Sequence, residues 1–358
     1  MAQSPQRKGD PVKIAHFAPF APHQCGLYET VRDMIRAERL EGHVAELVDI
    51  GIDGARAVGK IDDRPGCLVR AHDYHEVKAF DIFVSNTSIP ETFIEATKAP
   101  IVQVAHGRPE SSFRLSQKNP EKHPVYALYY SRARRDRWRK FVTLWPEHVP
   151  YLSVLIPPEK IMAVEAPCDT DIHAPAGPTM QFKDRGSINF LVADIWRDDA
   201  DPYFIAHALI CSAAKDADFK VHFCAVRTPL GPWDYILRKM KDLGILGDVY
   251  GHIRGLDHVL RAADVVATPH TIATRLVRES LACGTPVVAP LGNRFAQWTG
   301  SGTDPERMGV EMAGIREELR TNPASRGLQA RQMADVFSLR IFGERIIRIY
   351  QEVLDGAA

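Results

Sequence analysis

In the stretch TRLVRESLACGTPVVAP (274–290), Arg275, Arg278 and Glu279 stand within about one helical turn of each other, just before a small-residue turn and an apolar strand. Two guanidinium groups and a carboxylate in that order suit a ligand carrying both phosphates and hydroxyls. The planar fork of arginine donates two parallel hydrogen bonds to a phosphate. A carboxylate accepts well from two adjacent hydroxyls. The loop HTIAT (270–274), with Thr271 and Thr274, runs into the helix start. Helix N-termini attract anions through their unpaired N–H groups and the positive end of the dipole. The blander account is an i,i+4 ion pair between Arg275 and Glu279, worth about 0.2–0.5 kcal/mol.

Other residues are candidates on chemistry alone. PHQCGLYE (22–29) is a loop followed by a helix start, where Gly26 lets a backbone approach a ligand closely. His23 is a loop histidine beside it, and Glu29 needs only the helix dipole to explain it. His106 ends an apolar run before Gly107, and is either a site group or a satisfied core histidine. In YYSRARRDRWRKF (129–141), Arg132, Arg135 and their basic neighbours alternate with aromatics. That suits a phosphate backbone with stacked bases, and equally a solvated helix whose aromatics face inward. Arg108, Arg114 and Lys118 add charge on a polar loop. DDAD (198–201) contains a D-x-D, a frequent accident, and no metal is expected. A Gly-rich dinucleotide fingerprint and a P-loop are both absent, so no cofactor is expected.

The elements that must position these residues alternate along the chain. Strand-like runs fall at 12–18, 44–50, 80–86, 100–106 and 141–145, and again at 188–194, 219–226, 248–253, 264–269 and 286–290. Helical patterns lie between them; Leu27, Val31, Met34 and Ile35 share a face and Gly42 marks a stop. Buried strands alternating with crossover helices predict an α/β fold of two doubly wound, Rossmann-like domains facing a cleft. The boundaries read as 10–167 for the first domain, 168–187 for a linker and 188–337 for the second. A terminal helix over about 338–355 is placed to pack back on the first. At 358 residues, two domains suit the length.

Composition excludes little. Lys+Arg and Asp+Glu both number 45, so net charge makes no case for a polyanion. Six scattered cysteines read as reduced thiols, the opening residues lack a signal peptide, and no run is long enough to span a membrane. These features predict a cytoplasmic protein. Oligomeric state is not legible.

VRESLACGTPVVAP resembles LEAMACGTPVVAS of the retaining, nucleotide-sugar-dependent glycosyltransferases of GT-B fold, which carry an E-x7-E motif. LRAADVVATPH, EAPCDTDIHAP, the Gly26 loop-to-helix opening and VQVAHG resemble other segments of that family, in the right order. The resemblance implies transfer of a hexosyl or pentosyl group from a nucleoside-diphosphate donor to a hydroxyl, without a metal. It gives Glu279 the ribose hydroxyls and His106 the transferred sugar; Arg275, read from its own chemistry, takes the leaving diphosphate in place of the family's lost cations. Gly26, Thr271, Thr274, Arg278 and Arg197 become donor residues; His23, Arg108, Arg132 and Arg135 become acceptor residues. The departures are definite. Thr271 stands where the first glutamate of E-x7-E belongs, and Asp194 and Asp199 replace the family's diphosphate-binding Arg and Lys. FAPHQCGLYE and IATRLVRES also resemble glycosyltransferases of tailed phages, which implies a hydroxymethylated pyrimidine in DNA as one acceptor class, in a host cytoplasm. A catalytically silent binding protein on this scaffold and a nucleotide-sugar epimerase are the alternatives.

Overall fold

The computed structural model describes residues 10–20, 26–50, 68–70, 79–106, 125–194, 201–214, 217–226 and 231–356. The chain divides into two compact units, one comprising residues up to Pro167 together with Phe337 onward, the other Cys168–Val336.

The first unit is built on seven strands: β1 (Lys13–Ala18), β2 (Val44–Asp49), β3 (Leu68–Arg70), β4 (Ile82–Ser85), β5 (Ile101–Ala105), β6 (Trp138–Thr143) and β7 (Ile161–Ala163). They lie in the order β3-β2-β1-β4-β5-β6-β7, with every pairing parallel. Strands β4 and β5 are buried along their whole length, as parallel strands covered on both faces must be. One face packs Ile14, Val84 and Val104 against Val31 and Ile35 of helix Gly26–Leu40. The other packs Phe17, Phe83 and Ile101 with Phe93 and Trp138.

Helix Leu339–Asp355 joins the first of these cores through Phe342, Ile346, Ile349 and Tyr350, a stripe at 3.6-residue spacing. Gly343 permits the close approach, since a Cβ there would lie 2.9 Å from the Ala37 carbonyl oxygen. Ser338 caps the helix by accepting from the Ile341 N–H.

The second unit has six strands: β8 (Asn189–Val192), β9 (Lys220–Phe223), β10 (Leu246–Val249), β11 (Val265–Ala267), β12 (Val287–Pro290) and β13 (Trp298–Gly300). Their order is β10-β9-β8-β11-β12-β13, again all parallel. Both units are therefore doubly wound α/β sheets. The order reverses between β1 and β4 in one and between β8 and β11 in the other. Ligands of such sheets bind beyond the carboxyl ends at that reversal.

The sequence pattern missed β3, β7 and β13, each only three residues long. Three residues are too few for a period to show. Residues 168–187 are held along the second unit. The Arg261 guanidinium donates to the carbonyls of Ala174, Pro178 and Ile172 at 2.7, 2.8 and 2.9 Å, and Phe182 stacks on the His222 ring at 3.6 Å.

Candidate functional site

In the second unit, Asp194 follows β8 and Thr268 follows β11, so the two lie across the strand reversal. Thr268 Oγ1 donates to Asp194 Oδ2 at 2.7 Å, and His270 Nε2 lies 3.2 Å from Asp194 Oδ1. Both carboxylate oxygens are thus engaged. Asp194 therefore ties the two strand ends together.

The loop after β11 is fixed from the other side by Asn293, whose Nδ2 donates to the carbonyls of His270 and Ile272 at 3.0 and 3.2 Å. It delivers the chain to helix Arg275–Ala282. Thr274 stands at the N-cap but makes no capping bond, and among the described residues its Oγ1 is buried without a partner. The helix start is therefore not closed by its own cap, the arrangement in which an external anion meets first-turn amides. At the other end, Gly284 takes φ +78°, the left-handed conformation that ends many helices. Burial pushes the Cys283 thiol up to about 12, which makes it an inert core group.

Glu279 is the centre of this end of the unit. Its side chain is 3% exposed, and its Oε1 accepts from Arg275 Nε and lies 3.3 Å from His173 Nε2. Burial works to raise its pKa. Arg275, His173 and Arg278 outweigh that and hold the carboxyl below its ordinary range. The group is a carboxylate at neutral pH, yet among the described residues Oε2 is buried with no hydrogen-bond partner. His173 Nδ1 is in the same condition. Arg275 is 37% exposed and reaches solvent past this pair. Arg278 is buried and donates from Nη1 to the Ala273 carbonyl at 3.1 Å, so it braces the loop from within. Thr271 is half-buried in the same loop.

Sequence reasoning missed His173, His270, Thr268 and Asn293. The first had a signal in CDTDIH. Asp169 accepts from the N–H groups of Asp171 and Ile172 at 3.0 and 3.1 Å, and its own carbonyl accepts from His173 N at 2.9 Å. That Asx turn is what presents the histidine.

In the first unit, His106 follows β5 and is half-buried, with Nε2 2.7 Å from Asn86 Oδ1. Gly26 opens its helix with open space where a Cβ would stand. Glu29 is buried and paired with Arg32, the structural role that sequence allowed it. His23, Arg108, Arg197 and Asp199 lie outside the described residues.

The basic segment does not form a single surface array. Its helix ends at Ala133 and β6 begins at Trp138, so the arginines leave in different directions. Arg132, 5% exposed, donates to Gln103 Oε1 at 2.6 Å and to the Thr87 carbonyl at 3.2 Å, and lies over the Trp138 ring. Burial lowers its pKa to about 10. The acceptor role expected of it is corrected accordingly, because a guanidinium turned into the core with these partners cannot meet a polyanion. Arg137 donates to the Ile94 carbonyl, and Arg134 covers the Tyr130 ring. Arg135 stays outside, 47% exposed and 2.7 Å from Glu91.

Among the described residues, no group of three or more His, Cys, Asp or Glu is placed to hold a metal ion. No described helix is long and apolar enough to cross a membrane. Of the D-x-D stretch, Asp201 caps helix Pro202–Ala213 by accepting from Tyr203 N at 2.9 Å.

No family model matches the chain, and no curated protein matches it in sequence. Solved structures do match in fold. Sucrose-phosphate synthase from Thermosynechococcus elongatus superposes with a TM-score of 0.72 at 11% identity, covering 96% of this chain and 100% of that one. HepE from Anabaena, solved in complex with UDP-glucose, gives 0.69 at 12% identity over 95% and 99%. WaaG, a glycosyltransferase involved in lipopolysaccharide biosynthesis, gives 0.67 at 12% over 94% and 99%. The chain shares with these proteins the GT-B architecture of two Rossmann-like domains.

Proposed function

We propose that the chain transfers a sugar from a nucleoside-diphosphate donor to a hydroxyl acceptor, with retention of configuration and without a metal. One observation carries the reading: a buried, charged Glu279 with an unmatched oxygen beside an uncapped helix start. A buried acceptor left unmade costs about 1–3 kcal/mol. A ribose diol would satisfy it. A fold shared with HepE, solved with UDP-glucose and also with UDP and glucose, supports a nucleoside diphosphate as the neighbouring group.

In this reading Glu279 accepts from the ribose, while Thr271, Thr274, the first-turn amides and Arg275 meet the diphosphate. As the glycosidic bond breaks, negative charge grows on the leaving phosphate. Donors already in place stabilise that charge without reorganising, and need no cation to help. Arg278 serves by holding the loop. Arg197 is kept as a further phosphate group, Gly26 and His106 as groups toward the sugar, and His23 and Arg108 as groups toward the acceptor. The acceptor class includes hydroxymethylated pyrimidine in DNA, on the phage-like loop sequences, with exposed Arg135 kept as a group toward the acceptor.

Thr271 and the engaged Asp194 favour a second reading, a silent binding protein. One experiment separates the readings: incubation with a panel of nucleotide sugars, with and without hydroxyl acceptors, following released nucleoside diphosphate. The transferase releases it, slowly even to water. The silent protein binds nucleotide without release, and an epimerase alters the sugar with no acceptor present. A ligand at about 100 times its Kd stabilises by about 2.7 kcal/mol, which thermal shift resolves. Neither shift nor release with any nucleotide would sink the proposal.

A further inference from the structure

His173 is turned inward at a place where its apolar neighbour is left outside. It is 6% exposed, whereas Ile172 beside it is 49% exposed, the reverse of what apolar burial alone would select. The main chain enforces the choice. His173 N donates to the Asp169 carbonyl at 2.9 Å. The carbonyls on either side of it, of Ile172 and Ala174, accept from the Arg261 guanidinium at 2.9 and 2.7 Å. Arg261 is paired in turn with Asp257 at 2.8 Å. The ring is thus set against Glu279 by bonds made within the second unit.

The contact between the two groups decides what each has left to offer. Glu279 Oε1 accepts from Arg275 Nε and faces His173 Nε2 at 3.3 Å. A carboxylate oxygen and a bare ring nitrogen would repel at that distance, so Nε2 is the nitrogen that carries hydrogen. In the neutral ring Nδ1 is then an acceptor. A second proton there would make a buried N–H with nothing to donate to, because among the described residues Nδ1 has no partner. Glu279 Oε2 is an acceptor in the same state. Two buried acceptors therefore stand one ring and one carboxyl group apart, and both lack a donor. A single hydroxyl answers one of them; a vicinal diol answers both. Glu279 alone cannot grip a diol with two oxygens, since Oε1 is already taken.

We propose that His173 is a ribose-binding residue, taking one hydroxyl of the nucleoside diol at Nδ1 while Glu279 Oε2 takes the other. The ribose rests on the proposed function; the division of its two hydroxyls between two side chains goes beyond it. Residues 168–187 then contribute to the donor site as well as joining the units. Asp169 and Arg261 are positioning residues that act through His173.

The test measures binding of UDP, 2′-deoxy-UDP and 3′-deoxy-UDP to the full chain, with GDP, ADP and their deoxy forms alongside. Wild type should bind each deoxy form about tenfold more weakly than its parent, the loss of one ordinary hydrogen bond. His173→Gln keeps an N–H toward Glu279 Oε1 and removes the acceptor at Nδ1. It should bind the parent about tenfold more weakly and cease to discriminate against one of the two deoxy forms, while still discriminating against the other. Discrimination kept at both hydroxyls in His173→Gln would overturn the proposal and leave the diol to Glu279. 15N NMR of histidine-labelled wild type covers the case in which the variant does not fold. The parent nucleotide should move the His173 Nδ1 signal, and one deoxy form should leave it in place. A ring protonated at Nδ1 without ligand, or a signal moved alike by all three nucleotides, overturns the proposal as well. Binding with the wrong pattern removes this inference alone. A wild type that binds none of these nucleotides removes the proposed function and this inference with it.

Discussion

Each unit buries a glutamate against a histidine, and the two are finished differently. Glu38 has both oxygens filled, by Tyr350 and His16. Glu279 has one oxygen shared by Arg275 and His173, and the other unmatched. A saturated buried carboxylate has nothing left to offer a ligand and serves to fix its neighbours. A half-filled one carries a standing cost that a bound hydroxyl would remove. The residue type is the same; the difference lies in which partners the fold brings.

The largest expected effect lies on the open side. Arg275→Ala is expected to slow transfer by about 10²–10³, the scale on which single preorganised donors act on a developing oxyanion. Stability should fall by no more than about 2 kcal/mol in urea unfolding, because Arg278 and the His173 ring still face Glu279. A transfer rate within about twofold of wild type at unchanged stability would reduce the Arg275–Glu279 contact to an ordinary ion pair.

Glu38 and Glu279 can then be set against each other directly. Glu38→Ala leaves His16 and the Tyr350 hydroxyl unmatched in the core, and is expected to destabilise by about 3 kcal/mol. Glu279→Gln should change the ligand-free stability by under about 1 kcal/mol, yet abolish the thermal shift from nucleoside diphosphate. If Glu279→Gln proves as damaging as Glu38→Ala without ligand, the contrast between a closed and an open carboxylate fails.

How far all this was legible in the sequence follows from the same distinction. Alternation of strands and helices was visible because parallel strands buried on both faces must be nearly continuous apolar runs. Arg275 and Glu279 are four residues apart on one helix, so their meeting could be read locally. His173 reaches Glu279 only because Arg261 and the Asp169 turn hold residues 168–187 on the second unit, which no spacing discloses. The inward turn of Arg132 is hidden for a related reason: a helix ends one residue after it and a strand begins six residues after it. No single period could say which arginine turns inward.

A third buried histidine sharpens the comparison through pH. His222 accepts from Asp248 N at Nδ1 and faces Asn189 Oδ1 at Nε2, so the neutral ring is fully satisfied and a second proton would break the bond to Asp248. Burial lowers its pKa from 6.5 to about 4. In the unfolded chain the ring takes up a proton near pH 6.5, and in the folded chain only near 4. Its contribution to stability is therefore whole above about 6.5 and is lost as pH falls toward 4, on the order of 3 kcal/mol. Urea unfolding of His222→Asn across that range should show a flatter pH dependence than wild type. Identical slopes would mean that other groups dominate.

The smallest structural effect gives the cleanest reading of the acceptor. Arg135 and Glu91 form an exposed pair, and such pairs contribute about 0–1 kcal/mol. Arg135→Ala is thus expected to leave stability within about 0.5 kcal/mol, so any larger loss of transfer reports contact with acceptor rather than damage to the fold. With a DNA acceptor carrying hydroxymethylated pyrimidines, removing one phosphate contact should lessen the salt dependence of binding by about one in log–log slope, uniformly across sequences. With a carbohydrate acceptor the slope should not change. Arg132→Ala cannot make that distinction, because its guanidinium is committed to Gln103 and Thr87 and its loss would be felt as unfolding. Arg135, the least important of the two for the fold, is for that reason the one whose substitution can decide what the acceptor is.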